Sequence, residues 1–256
     1  MRSSKAKLLS GAALVASLAL GTAFATSAAA PGYIKAAIDN PDRPDKDKAR
    51  DAARKPEAMM EFAGVHRGQK VIELIPGGAF YFTKILSNIV GPTGHVYAAS
   101  PAPNPNAGAD ARPPSTSLTT DPAFSNVTDV VLPAGLPAVA PVDVIWTAQN
   151  YHDFHLAQLH VDVPATDKLI FNLLKPGGEF IVIDHSAVAG SGLDVPDKLH
   201  RINEDIVKKE VESAGFVLEA ESDVLRNPAD PRTDLVFAPS IRGHTDQFVL
   251  LFRKPK

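Results

Sequence analysis

The chain has 256 residues, of which 45% are hydrophobic, and a formal net charge of -3 at pH 7. This size and apolar content predict one domain with a substantial hydrophobic core. Because the sequence has no cysteine, disulfides cannot stabilise the fold. The weak negative charge, without any Lys/Arg-rich stripe, predicts no nucleic-acid partner.

The first thirty residues have the pattern of a secretory signal peptide. Basic residues at positions 2, 5 and 7 precede an uncharged apolar run over 8–25, and small residues continue to Ala30. Polar and glycine interruptions make this run a poor spanning helix. We therefore predict a signal peptide over 1–30, one domain over 31–256 and a periplasmic or secreted location. No stable membrane anchor is expected after cleavage, whose position stays open within a few residues.

Proline-rich composition predicts two loops, at 40–47 and at 100–117. The second is long for a connection within a compact domain, which is typical of a mobile segment or of a lid over a site. Between the two loops, an amphipathic region over 49–65 predicts a helix whose second half begins at Pro56.

From residue 70 onwards the chain alternates strand-like and helix-like segments, which predicts a mostly parallel sheet covered on both faces. Helices are expected over 80–90 and 164–174, and a third begins near Asn203 and stops at Gly215. The expected strands are 71–74, 95–99, 127–132, 142–147, 179–184, 216–220 and 247–253. The fourth and fifth of these are apolar enough to lie in the buried centre of the sheet.

Four segments in this order resemble class I S-adenosylmethionine-dependent methyltransferases. They are VIELIPGG at 71–78, GHVY at 94–97, LKPGG at 174–178 and ESAGF at 212–216. The sequence is most similar to an exported bacterial "predicted methyltransferase" group, whose Asn-x-His-Asp segment corresponds here to residues 150–153. The resemblance implies a Rossmann-like, doubly wound α/β fold with a seven-stranded, mostly parallel sheet and an antiparallel last strand. It also implies S-adenosylmethionine binding at the carboxyl ends of the first strands.

The resemblance implies a cofactor site that begins at the first glycine turn. A Cβ at Gly77 or Gly78 would block close approach of the cofactor to the main chain. Glu73 is expected to bind the cofactor's amino group, with a solvated strand-end carboxylate as the alternative. The full set of predicted cofactor-binding residues is Glu73, Pro76, Gly77, Gly78, Ser100 and Asn150.

The chain departs from the family pattern at two places. Ile75 and Ala79 stand where the motif has further glycines, and Ser100 stands where a carboxylate usually binds the ribose hydroxyls. A neutral hydrogen bond in place of a charge-assisted one predicts a loss of about tenfold or more in cofactor affinity.

The segment from Asn150 to His155 is the main candidate for catalysis, because it follows the fourth strand, where these enzymes hold substrate. Methyl transfer from a sulfonium is a displacement that needs mainly positioning, and a base only if the acceptor must lose a proton. Tyr151, His152 and Asp153 are the predicted catalytic residues, with His152 or Asp153 as the base. In the alternative, Asn150 and Asp153 cap the following helix and His152 is a hydrogen-bonded interior residue.

Several histidines and Asp184 follow strands or begin helices near the same edge of the sheet. Imidazole and carboxylate suit zinc or other transition ions, and His155, His160, His185 and His200 permit such a site. Their spacing matches no compact ligand motif, so no metal is predicted.

Two functions remain open for this sequence. One is methyl transfer to an unidentified small-molecule or envelope acceptor, and the other is an exported, non-catalytic ligand-binding protein that retains the fold. Export keeps the second open, since S-adenosylmethionine is made in the cytoplasm. A catalytic protein requires Gly77, Gly78 and the 150–155 segment to converge on one cleft.

Overall fold

The computed structural model describes residues 31–102 and 116–256. The predicted signal peptide at 1–30 and most of the predicted loop at 100–117 lie outside the described residues. Within the described ranges, no helix combines the length and the apolar character needed to cross a membrane.

Seven strands and nine α-helices form within the described ranges. The strands are β1 (Lys70–Leu74), β2 (His95–Pro101), β3 (Val127–Leu132), β4 (Val142–Ala148), β5 (Leu174–His185), β6 (Val217–Ser222) and β7 (Gln247–Arg253). The helices are α1 (Gly32–Ile38), α2 (Asp45–Lys48), α3 (Asp51–Arg54), α4 (Pro56–Phe62), α5 (Tyr81–Val90), α6 (Thr116–Thr119), α7 (Val163–Leu173), α8 (Val195–Leu199) and α9 (Glu204–Ser213).

All seven strands belong to one sheet, in the order β3-β2-β1-β4-β5-β7-β6. Strands β1 to β5 pair in parallel, whereas β7 is antiparallel to both of its neighbours, β5 and β6. The predicted doubly wound α/β fold, with its antiparallel last strand, is confirmed. In such a sheet the carboxyl ends of the parallel strands share one edge, where ligands usually bind.

Two hydrophobic layers cover the faces of the sheet. Helices α1, α4 and α5 pack on one face together with Trp146, and α7 and α9 pack on the other together with Ile145. Successive residues of a strand point to opposite faces, so β4 must be apolar on both of its sides. This double burial explains why the central strands are recognisable as continuous apolar runs.

The segment before β1 is more helical than its composition predicts. Asp45–Lys48 forms one helical turn that overlaps the end of the predicted loop at 40–47. The buried carboxylate of Asp47 accepts a hydrogen bond from Lys84 Nζ at 2.6 Å, a contact with α5 that local composition does not encode. The predicted helix over 49–65 is divided into α3 and α4 by Lys55, whose φ is +42°. Pro56 begins α4 as predicted.

The fifth strand also differs from its prediction at its start. Residues 174–178, expected as the end of a helix and a turn, already belong to β5. Gly177 N–H donates to the carbonyl oxygen of Lys254 at 2.9 Å, just beyond β7. Pairing with a distant segment therefore extends this strand. The expected ends of α9 are confirmed, since the Asn203 side chain accepts from Asp205 N–H and Gly215 follows the helix with a φ of +112°.

Candidate functional site

The turn between β1 and α5 has an unusual backbone. Ile75, Gly77 and Phe80 all have positive φ, at +51°, +68° and +49°. Glycine adopts this conformation freely, but a β-branched residue such as Ile75 does so at a cost in free energy. The amide of Asn150 donates to the carbonyl oxygens of Ile75 at 2.9 Å and Ala148 at 2.8 Å. Asn150 therefore ties the turn after β1 to the end of β4.

A cavity of about 180 Å³, here called the first-turn cleft, opens at this turn. Residues 75–79 and 148–150 line it together with Arg50, Arg54, Glu73, Tyr81 and Phe82. A Cβ added to Gly77 or Gly78 meets no protein atom within 4 Å, so the space beside both glycines is open. Of the predicted cofactor residues, only Ser100 at the end of β2 lies outside the lining of the cleft.

Glu73 is a buried carboxyl at the floor of the cleft. Its exposed fraction is 2%, and Thr83 Oγ1 donates a hydrogen bond to its Oε2. Burial raises the pKa of Glu73 to about 7, although the Thr83 hydroxyl and the charge of Arg54 favour the ionised form. The alternative of a solvated strand-end carboxylate is wrong.

Two arginines that were not predicted from the sequence to be site residues face the cleft. Arg54 Nη2 donates to Gln149 Oε1 at 2.8 Å, and the guanidinium groups of Arg50 and Arg54 lie about 5 Å from the Tyr81 ring. Burial and the neighbouring Arg50 lower the pKa of Arg54 to about 10, so this side chain stays charged at neutral pH. Neither arginine forms an ion pair with a carboxylate in the described part of the chain.

A second cavity of about 530 Å³, here called the arginine pocket, shares Arg50, Arg54 and Gln149 with the first-turn cleft. Its far wall comes from the segment between β6 and β7 and includes Phe237 and Arg242. The remaining lining residues are Ala49, Ala53, His185, Val236, Gly243, His244 and Gln247. None of these described lining residues is acidic. Burial lowers the pKa of His185 to about 4, so its imidazole is neutral at pH 7.

The predicted catalytic residues form a short 3-10 helix, Tyr151–His155, and line neither cavity. Tyr151 is buried on the face covered by α7 and α9, where its hydroxyl donates to Asp167 Oδ2 at 2.8 Å. His152 is 3% exposed and lies against Asp184, with 2.8 Å between Nδ1 and Oδ1. Of the whole segment, only Asn150 reaches the first-turn cleft.

The alternative expected for this segment is confirmed in one part and wrong in another. His152 is a hydrogen-bonded interior residue, and burial, which alone would lower its pKa, is outweighed by the carboxylates of Asp184 and Asp153, so that the pKa is raised. The side chain of Asn150 caps no helix, and the following helix, α7, is capped by Asp162, which accepts from Ala165 N–H at 3.0 Å.

Solved structures with the same architecture are numerous but distant in sequence. An S-adenosylmethionine-dependent methyltransferase from Aquifex aeolicus is 19% identical, with a TM-score of 0.55 over 82% of this chain and 97% of that chain. An arsenic(III) S-adenosylmethionine methyltransferase from Chlamydomonas reinhardtii is 17% identical, with a TM-score of 0.53 over 88% of this chain and 74% of that chain. The chain has the class I methyltransferase fold. No family model and no curated protein sequence matches it.

The same fold is also found in a protein named for another reaction. The cyclase SpnF is 15% identical to this chain, with a TM-score of 0.55 over 82% of this chain and 80% of that chain. Because one fold supports several chemistries, the function must be argued from the cleft and its residues.

Glu73→Gln is expected to change the pH dependence of stability. The folded-state pKa of Glu73 is raised, so its contribution to the free energy of unfolding is fully present below pH 4.5 and is lost as the pH rises through 7. The loss amounts to about 3 kcal/mol. Glutamine still accepts from Thr83 but carries no charge, so the variant should gain stability over the wild type between pH 4 and pH 8. Urea unfolding at both pH values measures this gain, with the exposed Glu212→Gln as control; equal differences at both pH values would contradict the prediction.

Proposed function

We propose that this protein binds S-adenosylmethionine in the first-turn cleft and transfers its methyl group to an acceptor in the adjoining arginine pocket. The observation that carries the proposal is the first-turn cleft itself. There, two glycines border open space at the carboxyl end of β1, beside a buried carboxyl and two guanidinium groups that form no ion pair within residues 31–102 and 116–256. The cleft lies where α/β sheets of this type bind nucleotides.

The groups around the cleft fit the amino-acid end of the cofactor. That end carries an ammonium and a carboxylate. Glu73, when ionised, accepts hydrogen bonds from an ammonium, and binding of that cation favours the ionised form of this raised-pKa carboxyl. Arg54 and Arg50 donate to a carboxylate. The main chain at Gly77 and Gly78 admits the rest of the molecule without a side-chain clash.

The arginine pocket supports an acceptor that carries negative charge. Arg50, Arg54 and Arg242 line it, and no acidic side chain does among its described lining residues. Bound S-adenosylmethionine supplies an electrophilic methyl group on a sulfonium. An anionic oxygen or sulfur would already hold the electron pair for the new bond to this methyl group, and the electrons of the broken carbon–sulfur bond would stay on the departing thioether, so no protein base is required. The protein's contribution is then to bind, orient and desolvate the two reactants. Accordingly, the proposed role of the arginines is positioning, and His152, Asp153 and Tyr151 are not assigned to proton transfer.

The proposal also includes export of the protein and the class of its methyl acceptor. The signal-peptide pattern of residues 1–30 supports action outside the cytoplasm on a small-molecule or envelope acceptor.

One observation favours a second candidate function. Strand β2 ends at Ser100 and Pro101, so no carboxylate stands at the end of this strand, where the resemblance places the group that binds the ribose hydroxyls. An exported protein that binds an anionic ligand without methyl transfer would need no such carboxylate. This second candidate uses the arginine pocket alone.

Calorimetric titration of the purified protein with S-adenosylmethionine and with its demethylated product distinguishes the two functions. Methyl transfer requires micromolar binding of one of these molecules at one site per chain. Lack of binding at millimolar concentration would exclude the cofactor site and leave the anion-binding protein as the better hypothesis.

A further inference from the structure

Three donor atoms converge beside the arginine pocket, within the part of the chain that the structure describes. His152 Nε2 lies 3.2 Å from Asp153 Oδ1 and 3.2 Å from His200 Nδ1. The third side of this triangle, between His200 Nδ1 and Asp153 Oδ1, measures 3.9 Å. Two imidazoles and one carboxylate thus point at one small volume.

The size of the triangle fits a divalent transition ion. Donors bonded at about 2.0–2.2 Å to a tetrahedral ion lie roughly 3.3–3.6 Å from one another. A point about 2 Å from all three atoms exists inside this triangle, which is the bond length that zinc forms with imidazole and carboxylate. Two imidazoles with one carboxylate also match the ligand set of open sites, in which further coordination positions stay free.

A buried carboxylate prepares His152 for this role. Asp184 accepts from the His152 backbone N–H at 2.7 Å and lies 2.8 Å from Nδ1. A proton on Nδ1, donated to Asp184, leaves the lone pair of Nε2 directed at the other two donors. Metal-binding histidines commonly donate their second nitrogen to a carboxylate in this way, which fixes the ring and increases its basicity.

In the tautomer that carries its proton on Nδ1, His152 directs the lone pair of Nε2 towards Asp153 and His200. With the Nδ1 proton directed at Asp184, His152 Nε2 and Asp153 Oδ1 would face each other at 3.2 Å with no hydrogen between them. An ion among the three donors removes this repulsion. The His200 and Asp153 side chains are 29% and 25% exposed, so the remaining coordination positions are accessible to solvent.

The position of His200 in the cluster is set by the chain after α8 and by a contact with Phe237. His200 follows α8 with a φ of +51°, in the left-handed region, and its ring lies edge-on to that of His152 with 5.3 Å between ring centroids. The His200 ring also packs against Phe237, with 5.1 Å between ring centroids. Because Phe237 lines the arginine pocket, an ion in the cluster lies behind the wall of that pocket.

We propose that His152, Asp153 and His200 bind one divalent first-row transition ion such as zinc, with Asp184 orienting His152. The site is separate from the first-turn cleft and requires no S-adenosylmethionine. Failure of the cofactor proposal would therefore leave it intact.

Chelator-treated protein, titrated with Zn²⁺ by calorimetry and with Co²⁺ in the visible spectrum, tests the site. One Zn²⁺ per chain should bind with micromolar or lower Kd, and Co²⁺ should develop d–d absorption. His200→Asn and Asp153→Asn should each weaken Zn²⁺ binding at least tenfold and abolish the Co²⁺ bands.

The chain offers a matched control for His200→Asn. His160 has a φ of +50°, almost the same as His200, but lies outside the cluster and is exposed. Asparagine tolerates this backbone conformation in both places, so His160→Asn loses one imidazole without added strain and should bind zinc like the wild type. Substoichiometric zinc in the wild type, or equal affinity in all three variants, would overturn the site. Asp153→Asn keeps the test decisive if His200→Asn does not fold.

Discussion

Gly78→Val is expected to weaken the binding of S-adenosylmethionine at least a hundredfold while leaving the fold intact. The valine side chain would stand in the open space of the first-turn cleft, since a Cβ on Gly78 meets no protein atom within 4 Å. A ligand that cannot approach the main chain closely loses its contacts with the main chain and no longer fits the cleft. Gly78 is a better test than Gly77, whose φ of +68° would add backbone strain to the steric block.

The matched control for this substitution is Gly32→Val. A Cβ added to Gly32, at the start of α1, likewise meets no protein atom within 4 Å, and the residue has no positive φ, but it lies outside the cleft. Calorimetry should detect wild-type affinity for this control, and circular dichroism should give similar melting temperatures for both variants. Undiminished binding by Gly78→Val would mean that the cofactor does not occupy the first-turn cleft.

The strands that were predicted most accurately are those whose own residues determine their burial. The bounds of β3 and β7 agree with the sequence prediction at both ends. Strand β7 is a buried, mainly apolar run and β3 a partly buried edge strand, and the turns that flank each of them limit its length. By contrast, the first residues of β5 and the helical turn α2 depend on partners far along the chain, Lys254 and Lys84 respectively. Local pattern contains no information about such partners.

The same distinction applies to the candidate site. Glu73 lies in β1, and Gly77 and Gly78 follow the same strand, so a motif brings them together in sequence as well as in space. Arg54, the last residue of α3, reaches the cleft through tertiary structure and there meets Gln149, 95 residues further along the chain. Arginines are frequent on exposed helix faces, and nothing in the local sequence distinguishes this one. Likewise, His200 lies next to His152 because of the path that the chain takes between β5 and α9. The spacing of the two residues in the sequence does not predict that path.

The wall of the arginine pocket depends on a buried ion pair. Arg201 is fully buried, and its guanidinium donates to both carboxylate oxygens of Asp230, at 2.8 and 3.1 Å. It also donates to the carbonyl oxygens of Ser186, just after β5, and of Asp234. Asp230 in turn accepts from the backbone N–H of Asp246 at 2.6 Å. This network attaches the segment between β6 and β7 to the edge of the sheet.

Arg201→Met is expected to destabilise the protein by about 3–5 kcal/mol, because it leaves the Asp230 carboxylate buried without its counter-ion. For a chain of this size, such a loss lowers the melting temperature by roughly 6–20 °C. The pocket wall at Phe237 and Arg242 should loosen together with the fold, so anionic ligands should bind more weakly even below the melting temperature. Lys198→Met is the matched control, since the ion pair of Lys198 with Asp194 is exposed on both sides and contributes little. If thermal denaturation gave the same midpoint for both variants, the Arg201–Asp230 pair would not hold this segment, and the wall of the arginine pocket would have to depend on its apolar contacts alone.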